Sequence, residues 1–151
     1  MSDLRIRLAR REDVPAIVAL LADDMLGKGR EDASDLERYY AAFDAMDVEA
    51  TNNLYVVETD ALPVAGTFQL IYMQGLSLGA CKRAEIEAVR VHADLRGQGM
   101  GTRMFDWAIE KARADGCRLF QLTTNRTRDD GQRFYDQLGF EASHVGYKMK
   151  L

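Results

Sequence analysis

Alternation of apolar and polar residues predicts six strands, over residues 4–8, 54–58, 64–72, 85–91, 117–124 and 145–151. Helical spacing accounts for much of the rest. Ile17, Leu20, Leu21 and Met25 recur on one face of a first helix, with Asp13 placed to cap it and Pro15 in its first turn. Leu36, Tyr39, Tyr40, Phe43 and Met46 mark a second helix, opened by Ser34 and Glu37 at capping-box spacing. A third runs over residues 102–113. A fourth covers 132–138, with Gly139 placed as a left-handed C-cap and Phe140 able to fold back onto the last turn. The order is β-α-α-β-β-β-α-β-α-β. Strands joined by short connections are antiparallel, and the later strand-helix-strand unit needs a crossover. The expected fold class is therefore α/β (α+β), a mixed, largely antiparallel twisted sheet flanked by helices, in one domain over residues 1–151.

Composition narrows the function classes. The chain is 47% hydrophobic and 29% charged, which is ordinary for a globular protein. A net charge of −4 argues against a nucleic-acid partner, which calls for a basic stripe. No apolar run is long enough to span a bilayer, and residues 1–5 lack the apolar core of a signal peptide. Cys81 and Cys117 make no disulfide framework and fit a reducing, cytoplasmic setting. With His92 and His144 as the only histidines, no metal site is expected.

The stretch with the most chemistry in it is Arg96-Gly97-Gln98-Gly99-Met100-Gly101, between the fourth predicted strand and the third helix. A strand, a glycine-rich turn and a helix start aim bare backbone N–H groups at an anion. A dinucleotide site needs G-x-G-x-x-G and an acidic residue at the end of the next strand. Here the glycines fall at every second position and the next strand ends in Thr124-Asn125. A triphosphate loop needs Gly-Lys-Ser/Thr, which is absent. Glycines that merely permit a tight turn are the third possibility.

Arg96-x-x-Gly99-x-Gly101 resembles the pyrophosphate-binding motif of the GNAT superfamily of acyl-CoA-dependent N-acyltransferases. Asn125 at a strand end, followed by Phe134-Tyr135-Asp136-Gln137-Leu138-Gly139-Phe140, resembles the family's second signature. The element order is also the family's. One departure is Gly131, where many members carry alanine.

The resemblance implies acetyl-CoA as co-substrate and no metal. Its pyrophosphate would sit on the N–H groups of Gly97, Gln98, Gly99, Met100, Gly101 and Thr102, with Arg96 as a nearby cation and Arg128 either a second one or a solvated loop arginine. Backbone groups of Val89 and Val91 would pair with the pantetheine arm, with Asn125 adding a polar contact and Phe134 lining the site. A small-molecule or peptide amine would be the acceptor, and a homodimer through the final strand is a family tendency.

An amine with a pKa near 10.4 must lose a proton to attack. Glu87 and Glu85, two apart on one strand, are the candidate bases, expected on the same face as Val89 and Val91. Glu87 is favoured, with Glu85 as the backup, and a salt bridge is the alternative for either. Tyr135, at the position where the family uses a tyrosine, would protonate the leaving thiolate; otherwise it is a packed aromatic. The cysteines have no neighbouring histidine, so direct transfer in a ternary complex is expected rather than an acyl-cysteine route. The acceptor end would be shaped by residues 25–40 and 73–82. The first is rich in acids that either attract cationic amines or form a solvated surface. Tyr39, Tyr40 and Tyr72 are candidates to frame a small pocket. A non-catalytic acyl-CoA sensor or interaction module of the same fold is the other function class.

Overall fold

The computed structural model describes residues 3–24 and 27–151; Met25, expected on the apolar face of the first helix, lies outside them. The chain divides into two compact units, one ending at Gln121 and the other spanning Leu122–Leu151.

The first unit holds a five-stranded sheet: β1 (Arg5–Leu8), β2 (Asn52–Glu58), β3 (Gly66–Gln74), β4 (Lys82–Val91) and β5 (Leu119–Gln121), adjacent in that order. β1 to β4 are antiparallel and β5 joins β4 in parallel. Its helices are α1 (Val14–Ala22), α2 (Leu36–Asp47), the four-residue α3 (Ser77–Ala80) and α4 (Met100–Ala114). α3 falls where the sequence suggests only a loop. β5 is shorter than predicted, and β4 begins three residues earlier, at Lys82.

The strand register sorts side chains onto two faces. Leu54 and Val56 lie opposite Gln69 and Thr67, and this face packs against α1 through Ile17, Leu20 and Val64. Val14, Val18 and Phe43 join α1 to α2. On the other face Tyr55 stacks on Phe68 at 5.2 Å, and Trp107 of α4 meets Tyr55 edge-on at 5.1 Å. Met104 and Phe105 of α4 are fully buried. Helices thus cover both faces of the sheet, as the amphipathic patterns require. No helix among the described residues is long and apolar enough to cross a membrane.

The second unit contains α5 (Asp129–Gln137). Gly139 closes it at φ 87°, and the Phe140 N–H donates to the Tyr135 carbonyl at 3.1 Å, as the C-cap pattern predicts. The predicted final strand does not form. Residues 145–151 have no strand pairing, and Tyr147 and Met149 are 93% and 85% exposed. Alternation offers one apolar face, but a strand exists through ladder hydrogen bonds, and no partner edge supplies them.

Two predicted caps are also replaced. α2 starts after Asp35 with no side-chain cap, one residue later than the Ser34 start, and the Ser34 hydroxyl donates to the Asp32 carboxylate at 2.5 Å. Asp13 does not cap α1. Its buried carboxylate accepts the Arg10 N–H at 2.7 Å and a two-pronged guanidinium contact from Arg7 at 2.8 and 3.0 Å. Arg7 also donates to Glu58 at 2.5 Å, so one guanidinium ties β1 to β2 and to the entry of α1.

Burial pushes the Asp13 carboxyl upward, but the hydrogen bonds from Arg7 and Arg10 outweigh it and hold the group below its ordinary value. A depressed folded-state pKa stabilises above the unfolded value and is lost as pH falls through the folded value. Asp13→Asn should therefore cost about 1.5–3 kcal/mol in urea unfolding at neutral pH. Its deficit against the parent should shrink as pH falls below the ordinary carboxylate range.

Candidate active site

β4 ends at Val91, and a 3-10 turn over Ala93–Leu95 leads to the glycine stretch. Arg96 is extended, whereas Gly97 and Gly99 sit at φ 73° and 76°. Residues with a Cβ enter this left-handed region at a cost of about 1–2 kcal/mol. α4 then begins at Met100, which is buried and fixes the helix start against the core. No side chain caps α4, so its first N–H groups keep their hydrogen-bonding capacity. A Cβ added at Gly97 or Gly99 would meet nothing within 4 Å. The glycines are needed for backbone conformation, and they also leave open space over the donors. This geometry fits a pyrophosphate. Gln98 turns away, its amide donating to the Asp94 carbonyl at 2.7 Å. Arg96 is joined to α1 instead of standing clear, with Nη2 at 2.9 Å from the Asp23 carboxylate and 3.0 Å from the Asp23 carbonyl.

β4 itself is irregular where the chemistry is expected. Gln69 pairs with Glu87, but Thr67 pairs with Arg90, so two residues, Ala88 and Val89, oppose Phe68 alone. Ala88 takes φ 51°, a strained conformation for alanine. This is a β-bulge, and it shifts the alternation by one. The expected common face of Glu85, Glu87, Val89 and Val91 is therefore corrected. Glu85 and Glu87 share the α1/α2 face with Arg90, while Val91 pairs with Gly66 and faces the other way. Arg90 reaches Asp24 at 2.9 Å, an ion pair that sequence spacing gave no means to find.

The pairing of β4 with β5 covers only Arg83 to Glu85. From Ile86 onward the β4 backbone has no β5 partner. Glu85 accepts from the Gln121 amide at 2.8 Å and is half-buried. Glu87, next to the bulge, is exposed.

Against the bulge, on the α1/α2 face, lies a cavity of about 130 Å³. Its wall includes Val18, Leu21, Tyr39, Phe43, Gln69 and Ala88. Of the three tyrosines considered for such a pocket, only Tyr39 lines it. Tyr40 lies under the Arg11 guanidinium at 4.3 Å. Tyr72 donates to Asp115 at 2.5 Å, beyond the end of α4, and burial, then that bond, push its hydroxyl pKa upward.

Within the second unit, the Asn125 side chain accepts from the Thr127 N–H at 3.0 Å and hydroxyl at 2.9 Å, shaping the turn before α5. Phe134 and Tyr135 meet edge-on at 5.6 Å, and Tyr135 meets Phe140 at 6.1 Å. Gly131 has a local reason as well. A Cβ there would come within 3.3 Å of the Thr124 hydroxyl oxygen, so glycine leaves room for that side chain.

Residues 14–140 match the family model described as "Acetyltransferase (GNAT) family". An aminoalkylphosphonate N-acetyltransferase of Salmonella typhimurium is 39% identical over 67 residues, 44% of this chain and 44% of that protein. An uncharacterised N-acetyltransferase of Methanocaldococcus jannaschii is 39% identical over 62 residues, 41% of this chain and 27% of that protein. The matched stretch is thus less than half the length of either curated relative. A crystal structure of a transcriptional regulator from Bacillus halodurans superposes with a TM-score of 0.92 at 41% identity, covering 99% of this chain and 100% of that one. Glucosamine-6-phosphate N-acetyltransferase from Arabidopsis thaliana shares the fold, with a TM-score of 0.80 at 17% identity over 98% of each chain. With the family model covering most of its length, the chain belongs to the GNAT acetyltransferase family.

Proposed function

We propose that residues 1–151 act as one N-acetyltransferase domain, moving an acetyl group from acetyl-CoA to a primary amine by direct attack in a ternary complex. The observation that carries this is the uncapped start of α4 behind two left-handed glycines, at the end of a strand whose pairing is broken on both sides. The N–H groups from Gly97 to Thr102 hold the pyrophosphate, helped by the positive end of α4. Each charge-assisted bond contributes about 1.5–3 kcal/mol. The backbone of Val89 and Val91 binds the pantetheine amides on the edge that β5 leaves open. In this reading Asn125 and Phe134 are further cofactor-binding residues.

Acetyl-CoA supplies a thioester whose thiolate, with a pKa near 8.5, leaves readily. Glu87, directly or through water, takes a proton from the amine. The amine nitrogen bonds to the acetyl carbon, the carbon–sulfur bond breaks, Tyr135 gives the sulfur its proton, and the nitrogen loses its remaining extra proton through water to the Tyr135 phenolate. Glu87 is the better placed of the two carboxylates, since it directly precedes the bulge where the pairing of β4 is interrupted. The naming of the Salmonella relative supports a small-molecule amine as acceptor class.

The Bacillus halodurans neighbour, a transcriptional regulator, is the one observation favouring a non-catalytic acyl-CoA-binding module. Thiol release from acetyl-CoA against a panel of amines, amino acids, aminoglycosides and peptides separates the readings. Amine-dependent release supports the enzyme. Acetyl-CoA binding in calorimetry with no release from any acceptor supports the module.

Gly99→Val places a β-branched residue at φ 76° and should weaken acetyl-CoA binding by about tenfold or more, read by calorimetry. Glu87→Gln should lower kcat by about 10²–10⁴-fold and Glu85→Gln by much less. The reverse ranking would move the base to Glu85. Tyr135→Phe should lower kcat while leaving acetyl-CoA affinity nearly intact, and unchanged turnover would remove the acid role.

A further inference from the structure

The cavity between α1, α2 and the sheet, about 130 Å³, opens to solvent where its wall residues Ala42 and Ala88 are exposed. Its wall is mainly hydrocarbon, from Val18, Leu21 and Phe43 among others, and among the described residues no lysine or arginine lines it. The polar side chains it does contain have local partners. The Tyr39 hydroxyl donates to Glu31 at 2.8 Å and accepts the Asp32 N–H at 2.9 Å. Thr67 donates to the Tyr55 carbonyl at 2.8 Å, and Gln69 donates to Asn52 at 2.6 Å. Arg90, the cation on the same face of β4, is paired with Asp24.

The place of the cavity connects it to the reaction. Ala88 lines it, and Ala88 follows Glu87 in the chain. Gln69 also lines it, and Gln69 is the cross-strand partner of Glu87. An occupant with a hydrocarbon body in the cavity and an ammonium at its β4 end matches apolar wall to apolar body and carboxylate to cation. Apolar cavities of about 150 Å³ take up a benzene-sized guest, so this one suits a branched or cyclic group of about four to six carbons.

We propose that the acceptor is a primary amine whose non-reacting part is a compact apolar group seated in this cavity, with its nitrogen toward Glu87, rather than an aminoalkyl acid such as a phosphonate. The inference rests on the acetyltransferase reading for its chemistry. Its binding step can be measured without turnover.

Cyclohexylmethylamine, ethylamine and 2-aminoethylphosphonate are the probes, used with the full chain. With acetyl-CoA, kcat/KM for cyclohexylmethylamine should exceed that for each of the others by about tenfold or more, since every buried methylene adds several-fold. Ala42→Leu, on the exposed side of α2 where it borders the cavity, should remove most of that preference and leave acetyl-CoA affinity unchanged. Without acetyl-CoA, cyclohexylmethylamine should shift the methyl NMR signals of Ile17, Val18 and Leu21, which line the cavity. Unmoved methyl signals, or a phosphonate or ethylamine used equally well, would overturn the inference. Shifted methyl signals together with no thiol release from any acceptor would uphold the cavity's ligand class and remove the acetyltransferase reading instead.

Discussion

The β3–β4 ladder must hold the sheet together and also come apart at the point where chemistry is proposed. It runs from Gly66 opposite Val91 to Gln74 opposite Lys82, the longest pairing in the molecule. Its far end starts the turn into α4, and one of its faces forms a wall of the cavity under α1 and α2. A uniform ladder would occupy every backbone group on the β3 side of β4. The bulge at Ala88 and Val89 interrupts it, and the short β5 frees the other edge from Ile86 onward. Strain in one alanine is the local cost of an irregular backbone inside an otherwise regular sheet.

Most of the fold was legible in the sequence because its elements are strongly periodic. α2 falls where Leu36, Tyr39, Tyr40 and Phe43 place it, and the C-cap at Gly139 is set by chemistry local to that turn. What was not legible depends on partners distant in sequence. Residues 145–151 alternate as well as any strand in the chain, yet alternation does not create a pairing edge. Ser34 and Glu37 have capping-box spacing, but α2 begins after Asp35 and Ser34 belongs to a turn with Asp32.

The candidate site divides along the same line. The glycine turn was readable because left-handed backbone has a residue signature. The bulge was not, since alanine carries no signal for φ 51°. That omission put Val91 on the wrong face of β4 and left Arg90 out of consideration. The cavity was equally invisible, being a volume between three elements and not a property of any one. Family membership follows from the comparisons, and from the motifs at 96–101 and 125–140 that resemble the family's, whereas neither motif specifies the acceptor.

Ala88 can also be considered as an insertion. If it were absent, Val89 would stand alone opposite Phe68, while Glu87 would still pair with Gln69 and Arg90 with Thr67. The ladder would be continuous, and no side chain beyond it would change face. The sheet thus gains neither register nor packing from the extra residue. What that residue contributes is the interruption itself and a piece of the cavity wall, so a one-codon deletion would yield a more regular β4 and take away both features on which the proposed chemistry depends.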